Sequence, residues 1–522
     1  MKIKKLLVAN RGEIAIRILR AATELQIKTV AIFTYEDRYS LHRYKADEAY
    51  QIGKNDDPLK PYLDIEEIIR TAKKVSVDAI HPGYGFLSEN ANFARRCHEE
   101  GIIFVGPDAD VMEKLGDKIA AKKVAHEAGV PMIEDSKEDL RDISKAKMEA
   151  ARIGYPIIIK AAAGGGGRGM RVIRNDEELE KSLPEARNEA RVAFGDDTVF
   201  FEKFIEDPKH IEVQILGDRH NNLIHLYERD CSVQRRFQKV VEVAPAISLR
   251  QDTKRKLYDY AVRICRQVNY NNAGTVEFLV DKAENVFFIE VNPRIQVEHT
   301  VTEEITGVDI VRNQILIAQG YPLSSPEINI QSQSQISVYG VAVQCRVTTE
   351  DPSNNFKPDY GTIIAYRNAG GPGIRLDEGS SYSGVSISPF FDSLLVKITA
   401  SGRDLPETCE RLIRTLKEFR IRGVKTNIPF LENVLANDTF QKGAATVSFI
   451  GEHPELFELK ARQDRGTKTL RYIANVIVNG NPDVAAINPN IKFRTPAVPE
   501  FNTKANRPRS SPRRVSACSS AG

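Results

Sequence analysis

The chain has 522 residues, 41% of them hydrophobic, which is enough for several buried cores and too long for one average domain. Its 74 lysines and arginines against 71 aspartates and glutamates leave a net charge of +3, so global charge predicts no nucleic-acid partner. Six scattered cysteines (97, 231, 265, 345, 409 and 518) form no CxxC pair, which argues against structural zinc and a disulfide framework and for a reducing compartment. No apolar run approaches membrane-spanning length. Met1-Lys-Ile-Lys-Lys5 leads straight into a strand, so a cytoplasmic chain with no leader peptide and no membrane contact is expected.

Lys5 to Ala9 reads as a buried strand and Asn10 to Glu13 as a turn. Ile14, Ile18, Ala21, Ala22 and Leu25 then fall on one helix face. Thr29 to Phe33 is the next strand. This β-α-β opening predicts a doubly wound α/β domain with function at its strand ends. Without a full GxGxxG it carries no dinucleotide signature. Asp78 to Glu89 is a strand running into a loop where Tyr84 stands between two glycines, either a ligand contact or a packing aromatic. Ile102 to Pro107 repeats the strand-then-turn pattern, and Asp117-Lys118 opens a helical segment ending near Gly129.

From Val130 to about Phe204 the texture changes. Gly154 to Lys160 is a strand ending in a lysine, and a second strand begins at Arg171. Between them stand Gly164, Gly165, Gly166 and Gly167, a costly run in conformational entropy. Its use is a mobile flap whose backbone N–H groups fold over phosphate oxygens, with Lys160 just ahead of it. The run is not a Walker loop, because no helix follows; a flexible hairpin is the plainer alternative. Thr198 to Ile205 reads as a strand carrying Glu202, His210 to Leu216 as an alternating strand and Asn222 to Tyr227 as the next. Glu228 to Lys239 is dense in polar and basic groups, either a functional stretch or a solvated charge run.

Chemistry concentrates in Phe288 to His299. The apolar run Val286 to Ile289 reads as a strand, and almost everything after it is polar or charged: Glu290, Asn292, Arg294, Gln296, Glu298 and His299. Thr275 to Val280 is a second strand, carrying Glu277, and the polar turn between the two lets them pair as a hairpin. Pairing sets Glu277 beside Glu290, and with Asn292 this is a hard oxygen site suited to Mg²⁺ and nucleotide phosphates. Arg294 offers a planar fork for a small oxyanion and Glu298 a base. The alternative is an edge hairpin with solvated charges. Further on, Val338 to Val347, Gly361 to Tyr366 and Leu394 to Ala400 read as strands and Leu405 to Phe419 as an amphipathic helix, which suits a mixed α/β third domain. From about 480 the composition drifts to Asn, Pro and Ser, and a disordered tail is expected over 486–522.

Together these parts resemble the ATP-grasp ligases and, more narrowly, the biotin carboxylases. The resemblance is carried by Lys5-Leu-Leu-Val-Ala-Asn-Arg-Gly-Glu-Ile-Ala15, His81-Pro-Gly-Tyr-Gly-Phe-Leu-Ser-Glu-Asn90, Gly164 to Met170, Glu228-Arg-Asp-Cys-Ser-Val-Gln-Arg-Arg236 and Asn292-Pro-Arg-Ile-Gln-Val-Glu-His299, in the family's order over about residues 1–455. Glu206 to His210, Arg346 to Asp351 and Phe419 to Asn427 are similar to the biotin carboxylase region of the pyruvate carboxylases, and the segment after 455 to the linker that leads on to their carboxyltransferase domain. The resemblance implies a Rossmann-like domain over 1–115, an ATP-grasp domain over 116–325 with a lid at about 131–204, a C-terminal domain over 335–455 and a linker over 456–485.

It further implies that Lys118, Lys160 and the Gly164 to Gly167 backbone hold ATP phosphates, and that Glu202, Lys203, Ile205, His210, Gln234 and Leu279 line the nucleotide pocket. Glu277 and Glu290 would hold Mg²⁺ or Mn²⁺ beside Asn292. Arg294, Gln296, Val297 and Lys239 would bind bicarbonate, Tyr84, Arg346 and Asp392 would meet biotin, and Glu298 would be the general base, with Arg294, Arg346 and Lys239 also catalytic. The implied function is ATP-dependent carboxylation of biotin through carboxyphosphate, the first half-reaction of pyruvate carboxylase. Implied partners are a biotin carboxyl carrier domain, a carboxyltransferase domain or chain, and further copies in a homo-oligomer. Alternatives are a subunit of an acyl-CoA carboxylase, a ligase acting on an amino acid or peptide, and an inactive ATP-binding regulatory protein. Three departures stand out. Phe237 replaces a histidine near the ribose, at an expected loss of about 1 kcal/mol of ATP binding. Phe390-Phe391-Asp392 lacks the usual tyrosine, and a Pro-Gly stretch is missing after Val130-Pro131.

Overall fold

The computed structural model describes residues 2–136, 140–161, 170–194, 196–459 and 465–480. Met1–Leu459 form one compact unit and Lys460–Gly522 a second, of which the helix Arg465–Asn479 is described. The four flap glycines, Cys518 and the expected tail lie outside the described residues.

The first sheet is built from β1 (Lys5–Val8), β2 (Lys28–Phe33), β3 (Glu48–Gln51), β4 (Ala79–His81) and β5 (Ile103–Phe104), all parallel in the order β3-β2-β1-β4-β5. Leu6, Leu7 and Val8 are fully buried, because a parallel sheet is covered on both faces. Helix α1 (Gly12–Glu24) packs the stripe Ile14, Ile18, Ala21 and Ala22 inward, as its spacing predicts. The strand order turns at β1, which opens a crevice beyond the C-terminal ends of β1 and β4. Asn10, after β1, braces the floor of that crevice: its amide donates to the carbonyls of Pro82 (2.7 Å) and Tyr84 (2.8 Å), after β4. Gly83 has φ +66°, and a Cβ there would meet the Asn10 amide at 3.0 Å, so the loop presenting Tyr84 needs glycine.

A small antiparallel sheet follows, β7-β6-β8, from β6 (Ile157–Ala161), β7 (Arg171–Ile173) and β8 (Val199–Lys203). It has its own core, including Ile157, Ile159, Ile173 and Phe201. The remaining strands are β9 (Lys209–Gly217), β10 (Leu223–Arg235), β11 (Gln238–Ala244), β12 (Asn272–Val280), β13 (Val286–Asn292) and β14 (Val341–Thr348). With Leu394–Gly402 and Ile374–Glu378 they make one antiparallel sheet of eight, in the order β13-β12-β9-β10-β11-β14, then 394–402, then 374–378.

The structure decides one reading left open by the sequence and departs from two others. Of the two readings open for Glu228 to Lys239, the solvated charge run fails: Glu228 to Gln234 lie in β10 and are buried, with Arg229 and Asp230 paired to Glu212 and Lys209 of β9 and Glu228 to Lys254. The third region, read as a domain of its own, shares a sheet with the second, because β11 and β14 are hydrogen-bonded neighbours from Val241↔Cys345 to Ala244↔Ala342. The strand expected at Gly361 to Tyr366 shrinks to Ala365–Arg367, while Ile363 bonds to a loop at Val385. Cys97, Cys231, Cys265, Cys345 and Cys409 are buried free thiols. Among the described residues no helix is long and apolar enough to cross a membrane.

Candidate active site

The hairpin β12–β13 pairs Glu277 directly with Glu290, and β9 places Glu212 opposite Glu277 and Arg229 opposite Glu212. Four charged residues thus run straight across four neighbouring strands. Arg229 is fully buried, and each of its five N–H donors finds an acceptor. Nε meets Glu212, Nη1 donates to Gln214 (2.8 Å) and Thr302 (2.9 Å), and Nη2 donates to Thr275 (3.2 Å) and Gln296 (2.9 Å). A buried charge is tolerated only with this degree of satisfaction.

Lys239, near the start of β11, is the hub. Its ammonium lies 2.6 Å from Glu212, 2.9 Å from Glu277 and 2.7 Å from Glu298. Burial alone would push it toward neutrality, but the three carboxylates outweigh that and hold it firmly charged. Glu298 is buried too, which by itself would raise its pKa; Lys239, Arg346 and Arg229 overcome this and hold the carboxyl well below the usual range. Its second oxygen accepts from Arg346 Nη2 at 3.0 Å, and Arg346 Nε donates to the buried Glu242 at 2.6 Å.

Glu277 accepts from His210 (2.6 Å), Lys239 (2.9 Å), Asn292 (2.9 Å) and Gln296 (2.8 Å). Gln234 donates to the other nitrogen of His210 at 2.9 Å, which leaves the proton on the nitrogen facing Glu277. Glu290 is poorly satisfied by comparison: the Asn292 amide reaches it at 3.5 Å, and burial and Glu277 together raise its pKa. Arg294 donates to Asn292 Oδ1 at 2.9 Å and lies 3.3 Å from Glu89.

Two cavities flank this cluster. One, of about 560 Å³, is lined by Lys118, Glu89, Glu290 and Asn292. The other, of about 980 Å³, is lined by Tyr84, Lys239, Arg294, Val297, Arg346 and Asp392. The expected residues therefore gather, with some exceptions. Lys160 and Glu202 pair with each other on the small sheet, where Lys122 also reaches Glu202 at 2.8 Å. Lys203 turns its ammonium to the carbonyls of Gly154 (2.7 Å) and Tyr155 (2.8 Å). Ile205 and Leu279 are half-buried, Leu279 standing opposite His210. Phe237 is 66% exposed at the β10–β11 turn.

Sequence reasoning missed Glu212, Arg229 and Glu242 as members of the cluster. The signal for Glu212 was available: it shares a strand face with His210 and Gln214 in a stretch that alternates polar and apolar.

Residues 2–112 match the biotin carboxylase N-terminal domain, 117–326 the carbamoyl-phosphate synthase L chain ATP-binding domain and 344–452 the biotin carboxylase C-terminal domain. The biotin carboxylase domain of Hydrogenobacter thermophilus 2-oxoglutarate carboxylase, solved as a dimer with MgADP, ADP and bicarbonate, superposes with a TM-score of 0.82 at 46% identity, covering 88% of this chain and 100% of that one. The chain belongs to the biotin carboxylase family. Within this family's wider company, pyruvate carboxylase of Staphylococcus aureus is 55% identical over 483 residues, 92% of this chain and 42% of that protein. Rhizobium etli pyruvate carboxylase superposes with a TM-score of 0.83 at 53% identity, over 92% of this chain and 43% of that one. The chain thus spans well under half the length of these pyruvate carboxylases.

Proposed function

We propose that this chain carboxylates biotin with bicarbonate at the expense of ATP, through carboxyphosphate, as the first half-reaction of a pyruvate carboxylase. The observation that carries the reading is the Lys239 node. One ammonium bridges Glu277 of the metal-type hairpin and Glu298, the intended base, at 2.9 and 2.7 Å. Bicarbonate is a weak nucleophile and must lose its proton as it attacks the γ-phosphoryl group. Glu298 is deprotonated at neutral pH but restrained by Lys239 and Arg346. Bicarbonate engaging Lys239, Arg294, Gln296 and Val297 would loosen one restraint, and biotin engaging Arg346 the other. Each arrival makes Glu298 a stronger base, so proton removal awaits both substrates.

The donor set also fits Mg²⁺ or Mn²⁺. Glu290, raised by burial and Glu277, sits in a spot short of positive charge. Glu277, Glu290 and Asn292 would hold the metal, which spreads negative charge on the transferring phosphoryl group. Lys118 faces the same 560 Å³ cavity and would take phosphate oxygens, a role that Lys160 and the Gly164 to Gly167 backbone would share. Glu202, Lys203, Ile205, His210, Gln234 and Leu279 would border the nucleotide. Tyr84, Arg346 and Asp392 would receive biotin in the 980 Å³ cavity. The division into domains over 1–115, 116–325 and 335–455, with a linker to 485, belongs to the same reading, as do a biotin carrier domain, a carboxyltransferase and self-association. The test is bicarbonate-dependent ATP hydrolysis with and without free biotin. Stimulation by biotin with formation of carboxybiotin is expected; ATP binding without bicarbonate-dependent turnover would overturn the reading.

A further inference from the structure

The strand Leu394–Gly402 carries a lysine that this chemistry does not use. The Lys397 side chain is fully buried, in a strand whose neighbours Leu395, Val396 and Ile398 are apolar. Burying an ammonium is costly and calls for compensating acceptors. Lys397 has two. It donates to the Val297 carbonyl at 2.9 Å and lies 3.1 Å from Glu13 Oε2. The other oxygen of Glu13 accepts the Tyr84 hydroxyl.

The strand pairing sharpens the point. Arg346 and Lys397 are direct partners between β14 and this strand. Like charges placed opposite one another destabilise a sheet. Here both cations reach the same short segment: Arg346 holds the Glu298 carboxylate, and Lys397 holds the carbonyl immediately before it. They form a two-pronged clamp on residues 297–298, and through Glu13 one prong also steadies Tyr84 on the cavity wall.

We propose that Lys397 is a positioning residue that fixes the Val297–Glu298 peptide, and through Glu13 the Tyr84 hydroxyl, for bicarbonate binding and proton removal. This rests on the reading of Val297 and Glu298 given above. Lys397→Met alone strands a buried Glu13, so the decisive variant is the charge-balanced pair Lys397→Met/Glu13→Gln. Two readouts apply to it. Amide hydrogen exchange is expected to quicken in peptides covering 294–299 and 81–86, with β1 and β9 unchanged. In turnover, KM for bicarbonate is expected to rise at least about tenfold, the scale of a lost charge-assisted hydrogen bond, while KM for ATP stays put. Parent-like exchange at 294–299, or an equal loss of protection throughout the chain, would overturn the proposal, the latter because Lys397 would then serve the fold alone. A parent protein without bicarbonate-dependent turnover would sink the functional reading instead, and the exchange result would still decide the role of Lys397.

Discussion

Glu298 and Arg229 are governed by the same rule, that a buried charge takes its properties from its partners, yet they fail differently when altered. Glu298→Gln keeps the shape and the contact to Arg346 but removes the proton acceptor. Bicarbonate-dependent ATP cleavage is expected to fall about 10²- to 10⁴-fold with ATP binding retained, as measured by phosphate release and nucleotide titration. Arg229→Gln instead strips buried Glu212 of one of its two cations, leaving Lys239 at 2.6 Å, and takes away the donor that satisfies Gln214, Thr275, Gln296 and Thr302. A loss of about 3–5 kcal/mol is expected, read from urea unfolding. At this scale the sequence was partly legible. The pairing of Glu277 with Glu290 follows from two short apolar runs and the polar turn between them. Arg229 could not be placed that way, because what buries it is acceptors gathered from β9, β12 and residues 296 and 302, distant in sequence.

Among the elements, the β10–β11 hairpin stands out. Its two-residue turn is Arg236-Phe237, with φ of +49° and +66°. Both residues occupy the left-handed region that a two-residue hairpin demands and that glycine and asparagine fill more cheaply. Arg236→Asn/Phe237→Gly is expected to stabilise the protein by about 1 kcal/mol, visible as a higher urea midpoint. Phe237→His is a separate probe: if the ring position faces the ribose, KM for ATP should fall by about fivefold, the scale of one hydrogen bond. Element boundaries were legible wherever apolar spacing alone set them, as in β1, α1 and β4. They were not for β10, whose second half is polar in sequence yet buried between β9 and β11, with Arg229 and Asp230 paired to Glu212 and Lys209.

For the whole molecule, acid is the weak side. Burial depresses His42 to about 4 and His81 and His299 to about 3, against 6.5 in an exposed chain. Between these values the unfolded chain binds protons that the folded one refuses. Stability is therefore complete above about pH 6.5 and drains as pH falls through the window below it, by roughly 1.4 kcal/mol per unit for each histidine. Glu303 acts in the same sense lower down: burial raises it, but Arg17 and Arg375 prevail and hold it at about 2, so its contribution is present above about 4.5 and lost toward 2. Urea midpoints are expected to be level from pH 7 to 8 and to drop steeply from pH 6.5 to 4.5.

The shared sheet has a bearing on how this protein can be cut and recombined. Because β11 and β14 are neighbours, a fragment ending near 330 would bare the long edge of β11, with Val240, Val241 and Val243 along it. An open apolar edge invites strands from other molecules. The sequence boundary between the second and third regions is thus a poor place to cut. A chimera that exchanges the C-terminal third with a relative must inherit or rebuild the Val241↔Cys345 register, or its halves will pair with strangers before they find each other.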